Sequence, residues 1–366
     1  MTPPPPSLPA PGRAGIAAVT LGEGGTPLVR SAELGPALGL KNLWFKLESA
    51  NPTGSYKDRF AASAVTRMLA DGRRACLGTS SGNAGAALAA YCARAGLPCV
   101  LAIVEDAPDG KLRQMLAHGA RLVRIRGFGR SPAVNDRVMH GLRGLAGRLN
   151  AAVEISAYAF SPEAMRGVEA IGAEISARLP APDVFCPAGG GGLTLAVARG
   201  LAAGRVHCVQ PAGNDTIASP LRAGRARARP VSSDTAISGL QVGNVVDGDA
   251  VIAACRARGG RGYVVADERA WHWQARLARA EGIFCEPAGS LALAGVEEAV
   301  RRRELPAHAD VVCLVTGAGF KDERALVRLA GSGRVERVDD VEAFGARVLR
   351  DCERAGPGAT GTARPA

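Results

Sequence analysis

Short apolar runs alternate with longer stretches in which apolar residues recur every three or four positions. Leu43–Leu47, Ala75–Gly78, Cys99–Val104, Leu122–Ile125, Val184–Cys186, Val206–Val209 and Val311–Val315 are compact runs of strand length, and each predicts a β-strand. Phe60–Ala70, Ala84–Ala95, Lys111–His118, the stretch that follows Gly192 as far as Gly200, and Trp271–Glu281 carry the helical period. Gly96 and Pro98 stop the second of these. Strand and helix taking turns along the chain predict an α/β fold whose sheets are mostly parallel and flanked by helices. No repeat of solenoid period is present. From about Gly331 the alternation fades into what reads as an appendage, with Ala355–Ala366 as a tail. Met1–Pro11 is a proline-rich lead-in with no secretory h-region.

Length and composition narrow the classes. A chain of 366 residues, 47% apolar, buries a sizeable core and suits two domains sharing one site. No apolar run approaches the ~18 residues of a membrane span, so a cytoplasmic protein without a membrane partner is expected. The net charge of +11 raises the question of nucleic acid. Only five of the 45 basic residues are lysine, and beyond Arg222, Arg225, Arg227 and Arg229 they are spread along the chain. With aromatics at 4%, stacking platforms for bases are scarce, and no nucleic-acid partner is expected. Nine cysteines without CxxC spacing and five scattered histidines read as buried thiols of a reducing compartment, with no metal site.

Four motifs carry candidate chemistry. In Asn51-Pro52-Thr53-Gly54-Ser55-Tyr56-Lys57-Asp58-Arg59, two turn dipeptides put Lys57 at a bend just before a helix. There it is either a solvated lysine or an amine aimed into a cleft, where desolvation favours imine chemistry. Gly189-Gly190-Gly191-Gly192 joins a strand to a helix. It is either a plain turn or an anion cradle of inward N–H groups at a helix N-terminus. It has neither the lysine of a Walker loop nor the spacing of a dinucleotide fingerprint. Ser80-Ser81-Gly82-Asn83 opens a helix with donors that suit a carboxylate or simply cap the helix. Thr316, in Val315-Thr316-Gly317-Ala318-Gly319-Phe320-Lys321-Asp322, sits at a strand's C-terminal end, where ligands gather in open α/β sheets, unless the segment is only a turn.

The order of these motifs, together with Gly22-Glu23-Gly24-Gly25-Thr26-Pro27-Leu28, Phe45-Lys46-Leu47-Glu48 and Gly282-Ile283-Phe284-Cys285-Glu286-Pro287-Ala288, resembles the fold-type II enzymes of pyridoxal 5′-phosphate (PLP). This is the tryptophan synthase β-like group, and the likeness is closest to threonine synthase. The resemblance implies PLP held as a Schiff base on Lys57, its phosphate on Gly189, Gly190, Gly191 and Gly192, and its phenolic oxygen on Asn83. It places the hydroxyl of Thr316 at the pyridine nitrogen. Ser80, Ser81 and Gly82 would take the substrate carboxylate. A neutral hydroxyl at that nitrogen makes a weaker electron sink than an aspartate, which favours expulsion of a leaving group. The resemblance also implies two domains, each a mostly parallel sheet flanked by helices. Residues 1–59 and 156–331 would bind PLP, 60–155 would form a small mobile substrate domain, and 332–366 an extension. A homodimer is expected.

The likeness to threonine synthase is incomplete. Its phosphate-binding arginine stretch corresponds to Ser161-Pro162-Glu163-Ala164-Met165-Arg166-Gly167-Val168-Glu169-Ala170, where Arg166 is displaced by about two positions and the Gln-Lys-Thr part is missing. The tetraglycine also resembles ammonia-lyases and β-replacing enzymes of the same fold. The leading expectation is a PLP lyase that removes or replaces a β- or γ-substituent of a small amino acid such as O-phosphohomoserine, with Arg166 as a substrate clamp. A β-replacement enzyme or a serine/threonine ammonia-lyase, in primary or specialised metabolism, is the alternative among enzymes. A non-catalytic amino-acid-binding regulator is the alternative of another class.

Overall fold

The computed structural model describes residues 17–331, 333 and 335–355. Among the described residues, ten strands form two sheets: β1 (Leu28–Arg30), β2 (Asn42–Leu47), β3 (Cys76–Gly78), β4 (Cys99–Ile103), β5 (Arg121–Arg124), β6 (Ala152–Glu154), β7 (Asp183–Pro187), β8 (Arg205–Pro211), β9 (Gly262–Val265) and β10 (Asp310–Val315). The larger sheet has the order β1-β2-β10-β7-β8-β9 and the smaller β5-β4-β3-β6. Every pairing is parallel except β1 with β2. Central β7 and β10 are almost wholly buried, which is why they read as unbroken apolar runs. Edge strand β5, Arg-Leu-Val-Arg, is mostly exposed and carries an arginine at each end, a composition that discourages pairing with another chain.

Helix packing around the larger sheet relies on close backbone approach. The helices Lys57–Ala70, Pro162–Ser176 and Gly192–Gly200 stack on one another. A Cβ on Gly167 would lie 2.4 Å from the carbonyl oxygen of Arg59, so only glycine lets the second helix sit this close to the first.

Several boundaries differ from the sequence reading. The helix expected from Phe60 begins at Lys57, because Asp58 accepts the Thr53 N–H and hydroxyl (3.1 and 2.8 Å) and closes the preceding turn. The helix expected from Trp271 begins at Asp267. Strands β1, β6 and β9 and the helices Pro132–Leu149, Pro162–Ser176, Gly248–Ala257 and Pro287–Arg301 are not marked out by the sequence pattern. The expected appendage contains a helix, Val341–Ala355, with Val341, Phe344 and Leu349 exposed. The lead-in Met1–Pro11 and positions 356–366 of the expected tail lie outside the described residues. No described helix is long and apolar enough to cross a membrane.

Candidate active site

The motifs converge beyond the C-terminal ends of β2, β3, β6, β7 and β10. The Tyr56 N–H donates to the Thr316 carbonyl (3.1 Å), and the Ala318 N–H donates to that of Gly54 (2.9 Å), which ties the lysine segment to the end of β10. Lys57 opens its helix and donates from Nζ to Ser156 Oγ, just past β6, at 2.6 Å. Its ammonium lies 4.5 Å from the centre of the Tyr56 ring.

Two residues along, Arg59 anchors this helix start. It is bidentate to Glu48 (2.8 and 2.9 Å) and reaches Glu174 through both terminal nitrogens (2.6 and 2.8 Å). Lys46 also pairs with Glu174. Although burial opposes it, Arg59 and Lys46 hold the Glu174 carboxyl down at about 2. Removing one partner from a buried pair of this kind costs about 3–5 kcal/mol, since a charge is left uncompensated. The network therefore fixes where Lys57 starts.

Gly189–Gly192 forms the turn from β7 to its helix. The carbonyl of Gly189 accepts from Gln210 Nε2 (3.2 Å), that of Gly190 from the Asp247 N–H (3.1 Å), and that of Gly191 from the Leu195 N–H (3.0 Å). With the carbonyls tied back, the N–H groups of Gly189, Gly190 and Gly191 have no acceptor among the described residues. Gly191 has φ +97°, and a Cβ there would sit 2.7 Å from Val251 Cγ2. The result is a row of free donors at a helix N-terminus, a fitting receptor for a phosphate.

Across the cleft, Asn83 opens the helix Asn83–Ala95 and donates from Nδ2 to both oxygens of Glu286 (3.0 and 3.1 Å). Thr316, buried, lies 3.4 Å through Oγ1 from the same carboxylate. Burial raises the Glu286 carboxyl, partly offset by the Asn83 contact. Ser80 Oγ accepts the Gly82 N–H (3.3 Å), Ser81 Oγ accepts the Val104 N–H (3.3 Å), and the loop is half-exposed. Lys321 donates to Gln114 (2.5 Å) and Lys111 to Ser238, which bridges the two sheet units; burial lowers the Lys321 ammonium.

The structure thus brings Lys57, Asn83, Gly189–Gly192, Thr316 and the Ser80–Gly82 loop to one cleft. It does not bring Arg166 there. That side chain is 64% exposed on the outer face of its helix and pairs with Glu163, while its neighbours Met165 and Gly167 point inward. The sequence reading gives no role to Ser156 or Glu286. Ser156 carries no signal at all. Glu286 does, as a lone carboxylate inside the apolar run Ile283–Ala288.

Comparison with known proteins identifies the family. Residues 19–317 match the family described as pyridoxal-phosphate dependent enzyme. A threonine synthase of Methanosarcina acetivorans is 32% identical over 324 residues, covering 84% of this chain and 78% of the relative. One of Mycobacterium bovis is 34% identical over 317 residues, 83% of this chain and 84% of the relative. Among solved structures, a threonine deaminase of T.th. superposes with a TM-score of 0.67 at 27% identity, covering 80% of this chain and 92% of that one. The processed threonine deaminase isoform 2 of Solanum lycopersicum gives 0.70 at 22% identity over 84% and 88%, a likeness of fold. The chain belongs to the pyridoxal-phosphate dependent enzyme family, with PLP as its cofactor and a lyase activity of threonine synthase-like type.

Proposed function

We propose that the protein eliminates or replaces a β- or γ-substituent on a small amino acid, with O-phosphohomoserine as the leading substrate. The observation that carries the reading is the row of unpartnered N–H groups on Gly189, Gly190 and Gly191, on the same cleft as the amine of Lys57. PLP asks for an amine, a phosphate cradle, a hydrogen-bond partner for its phenolic oxygen and a partner for its ring nitrogen. Lys57, Gly189–Gly192, Asn83 and Thr316 are the residues that would supply these, and the donor types fit. When bound, the cofactor supplies the electron sink that acidifies the substrate's α-carbon.

The rest is the work of this chain. Lys57 Nζ takes and returns the α-proton, with Ser156 Oγ steering the amine at 2.6 Å. The donors of Ser80, Ser81 and Gly82 orient the substrate carboxylate at the helix start. Glu286 holds Asn83 and Thr316 in place through its carboxylate. Thr316, uncharged, would face the cofactor's ring nitrogen as a neutral partner, which would favour departure of the leaving group. Lys111 and Lys321, one from each sheet unit, reach across to Ser238 and Gln114 of the other unit.

The outward position of Arg166 favours a second reading, ammonia release or β-replacement on a substrate without a distal anion, because the one arginine matched to a phosphate clamp faces solvent. Purified enzyme assayed across O-phosphohomoserine, serine, threonine and O-phosphoserine separates the two. Phosphate release from O-phosphohomoserine with formation of threonine supports the first. Ammonia from serine or threonine alone supports the second. Borohydride reduction and peptide mapping should label Lys57, and a label on Lys46, Lys111 or Lys321 would overturn the assignment.

A further inference from the structure

Three cysteines from separate elements meet under the helix-covered face of the smaller sheet. Cys76 on β3 and Cys99 on β4 are register partners in a parallel pair, so their side chains leave the same face side by side. Cys92, in the last turn of the helix Asn83–Ala95, packs onto them. The three Sγ atoms lie within 4.8 Å of one another, and no other group of three or more His, Cys, Asp or Glu ligands is this close among the described residues. None of the three is in a disulfide, and the residues are 0%, 0% and 5% exposed. They belong to an apolar core that includes Leu88 and Leu101.

We propose that Cys76, Cys92 and Cys99 form a binding site for a soft monovalent cation of the Cu(I) type, held by three sulfurs. Metal–sulfur bonds of about 2.3 Å in a trigonal plane set the sulfurs about 4 Å apart, so closure from the observed spacing requires side-chain shifts below an ångström. An all-sulfur set selects soft metals over Mg2+ or Ca2+, which take oxygen ligands. Zn2+ asks for a fourth ligand, and among the described residues no fourth His, Cys, Asp or Glu atom lies within 4.8 Å of all three sulfurs. Binding involves no change of oxidation state: sulfur–metal bonds form and the displaced thiol protons leave to solvent.

The placement says what such an ion would do. Asn83 starts the helix in the cleft, and Cys92, in its last turn, meets the sheet. A metal there staples the far end of this helix to β3 and β4, stabilising the smaller sheet unit by binding the folded chain.

The test loads reduced full-length holoenzyme with Cu(I) delivered from bathocuproine disulfonate, both by long incubation and by refolding in its presence. One Cu(I) per chain should survive desalting, and X-ray absorption should find three sulfur neighbours at ~2.3 Å. Cys99→Ala should lower Cu(I) affinity at least tenfold, whereas Cys313→Ala, a buried cysteine of the larger sheet, should leave it unchanged. Failure of wild-type protein to retain copper by either route overturns the proposal, as does retention unaltered in a folded Cys99→Ala. Should that variant not fold, the wild-type spectrum decides alone, and fewer than three sulfur neighbours overturns the site.

Discussion

Gly189–Gly192 and Ser80–Asn83 are both turns from a strand of a parallel sheet into a helix, yet they are built in opposite ways. The first has its shape imposed from outside. Its carbonyls are tied back by Gln210, Asp247 and Leu195, and its walls are the side chains of Val242, Val246 and Val251. The second makes bonds of its own through Ser80, Ser81 and Asn83, and the space above Gly82 is open. A rigid row of donors suits a group that stays, such as a cofactor phosphate. An open, half-exposed loop of hydroxyls and amides suits a carboxylate that comes and goes with each turnover.

The most severe test of the shared cleft is Lys57→Ala. Turnover should fall by about 10^3-fold or more in steady-state assays, since the base is lost, while the circular dichroism spectrum stays that of the wild type. Retained turnover would detach both loops from the lysine and break the comparison at its root. Gly191→Ala comes next. It puts a side chain at φ +97° and a Cβ 2.7 Å from Val251, which should cost about 2–4 kcal/mol in denaturant unfolding and deplete bound cofactor on dialysis.

A smaller, pH-dependent effect belongs to Glu286. Burial raises its carboxyl, so the stability it contributes is complete below the ordinary carboxylate range and is lost as pH rises through the raised value. Glu286→Gln cannot ionise. Its stability relative to wild type should therefore improve as pH climbs from 4 towards neutrality in parallel thermal melts, and a pH-independent difference would contradict the raised value. Gly82→Ala sharpens the loop contrast directly. With nothing within 4 Å of the added Cβ, stability should stay within about 0.5–1 kcal/mol. The substrate KM should rise several-fold while cofactor content holds.

The alternation of strand and helix was legible because strands buried on both faces, such as Val311–Val315, must be apolar throughout, and because glycine and proline punctuate the turns. Lys57, Asn83 and Thr316 were legible as candidates because each sits at a strand-to-helix turn within a recognisable run. Ser156 and Glu286 were not given roles. Their partners lie 99 and 203 residues away, and strand order decides those meetings, not local pattern. Tyr56, at a turn, gave no hint that its N–H would tie the lysine segment to β10. The three-cysteine cluster was likewise hidden: Cys76 and Cys99 are 23 positions apart, and only the β3–β4 register makes them neighbours.

Arg166 shows the converse, a residue legible in sequence and placed elsewhere by the fold. It lies about two positions from the family's phosphate-binding arginine, but a helix turns about 100° per residue, and a shift of two positions moves a side chain to another face. Met165 and Gly167 take the inward directions, against Gly192 and Arg59, and leave Arg166 outward beside Glu163. An i,i+3 ion pair at this exposure is worth only a few tenths of a kcal/mol. Arg166→Ala should therefore change stability by less than about 0.5 kcal/mol and leave kcat/KM nearly untouched on O-phosphohomoserine and on threonine alike. Loss of a charge-assisted contact to a substrate phosphate would instead cost about 2–5 kcal/mol on the phosphorylated substrate alone. A selective loss of that size would require the helix Pro162–Ser176 to rotate its outer face towards the cleft when substrate binds. The glycine contacts that lock it to the Lys57 helix oppose such a rotation, because any turn drives bulkier side chains into the Arg59 carbonyl now met by Gly167.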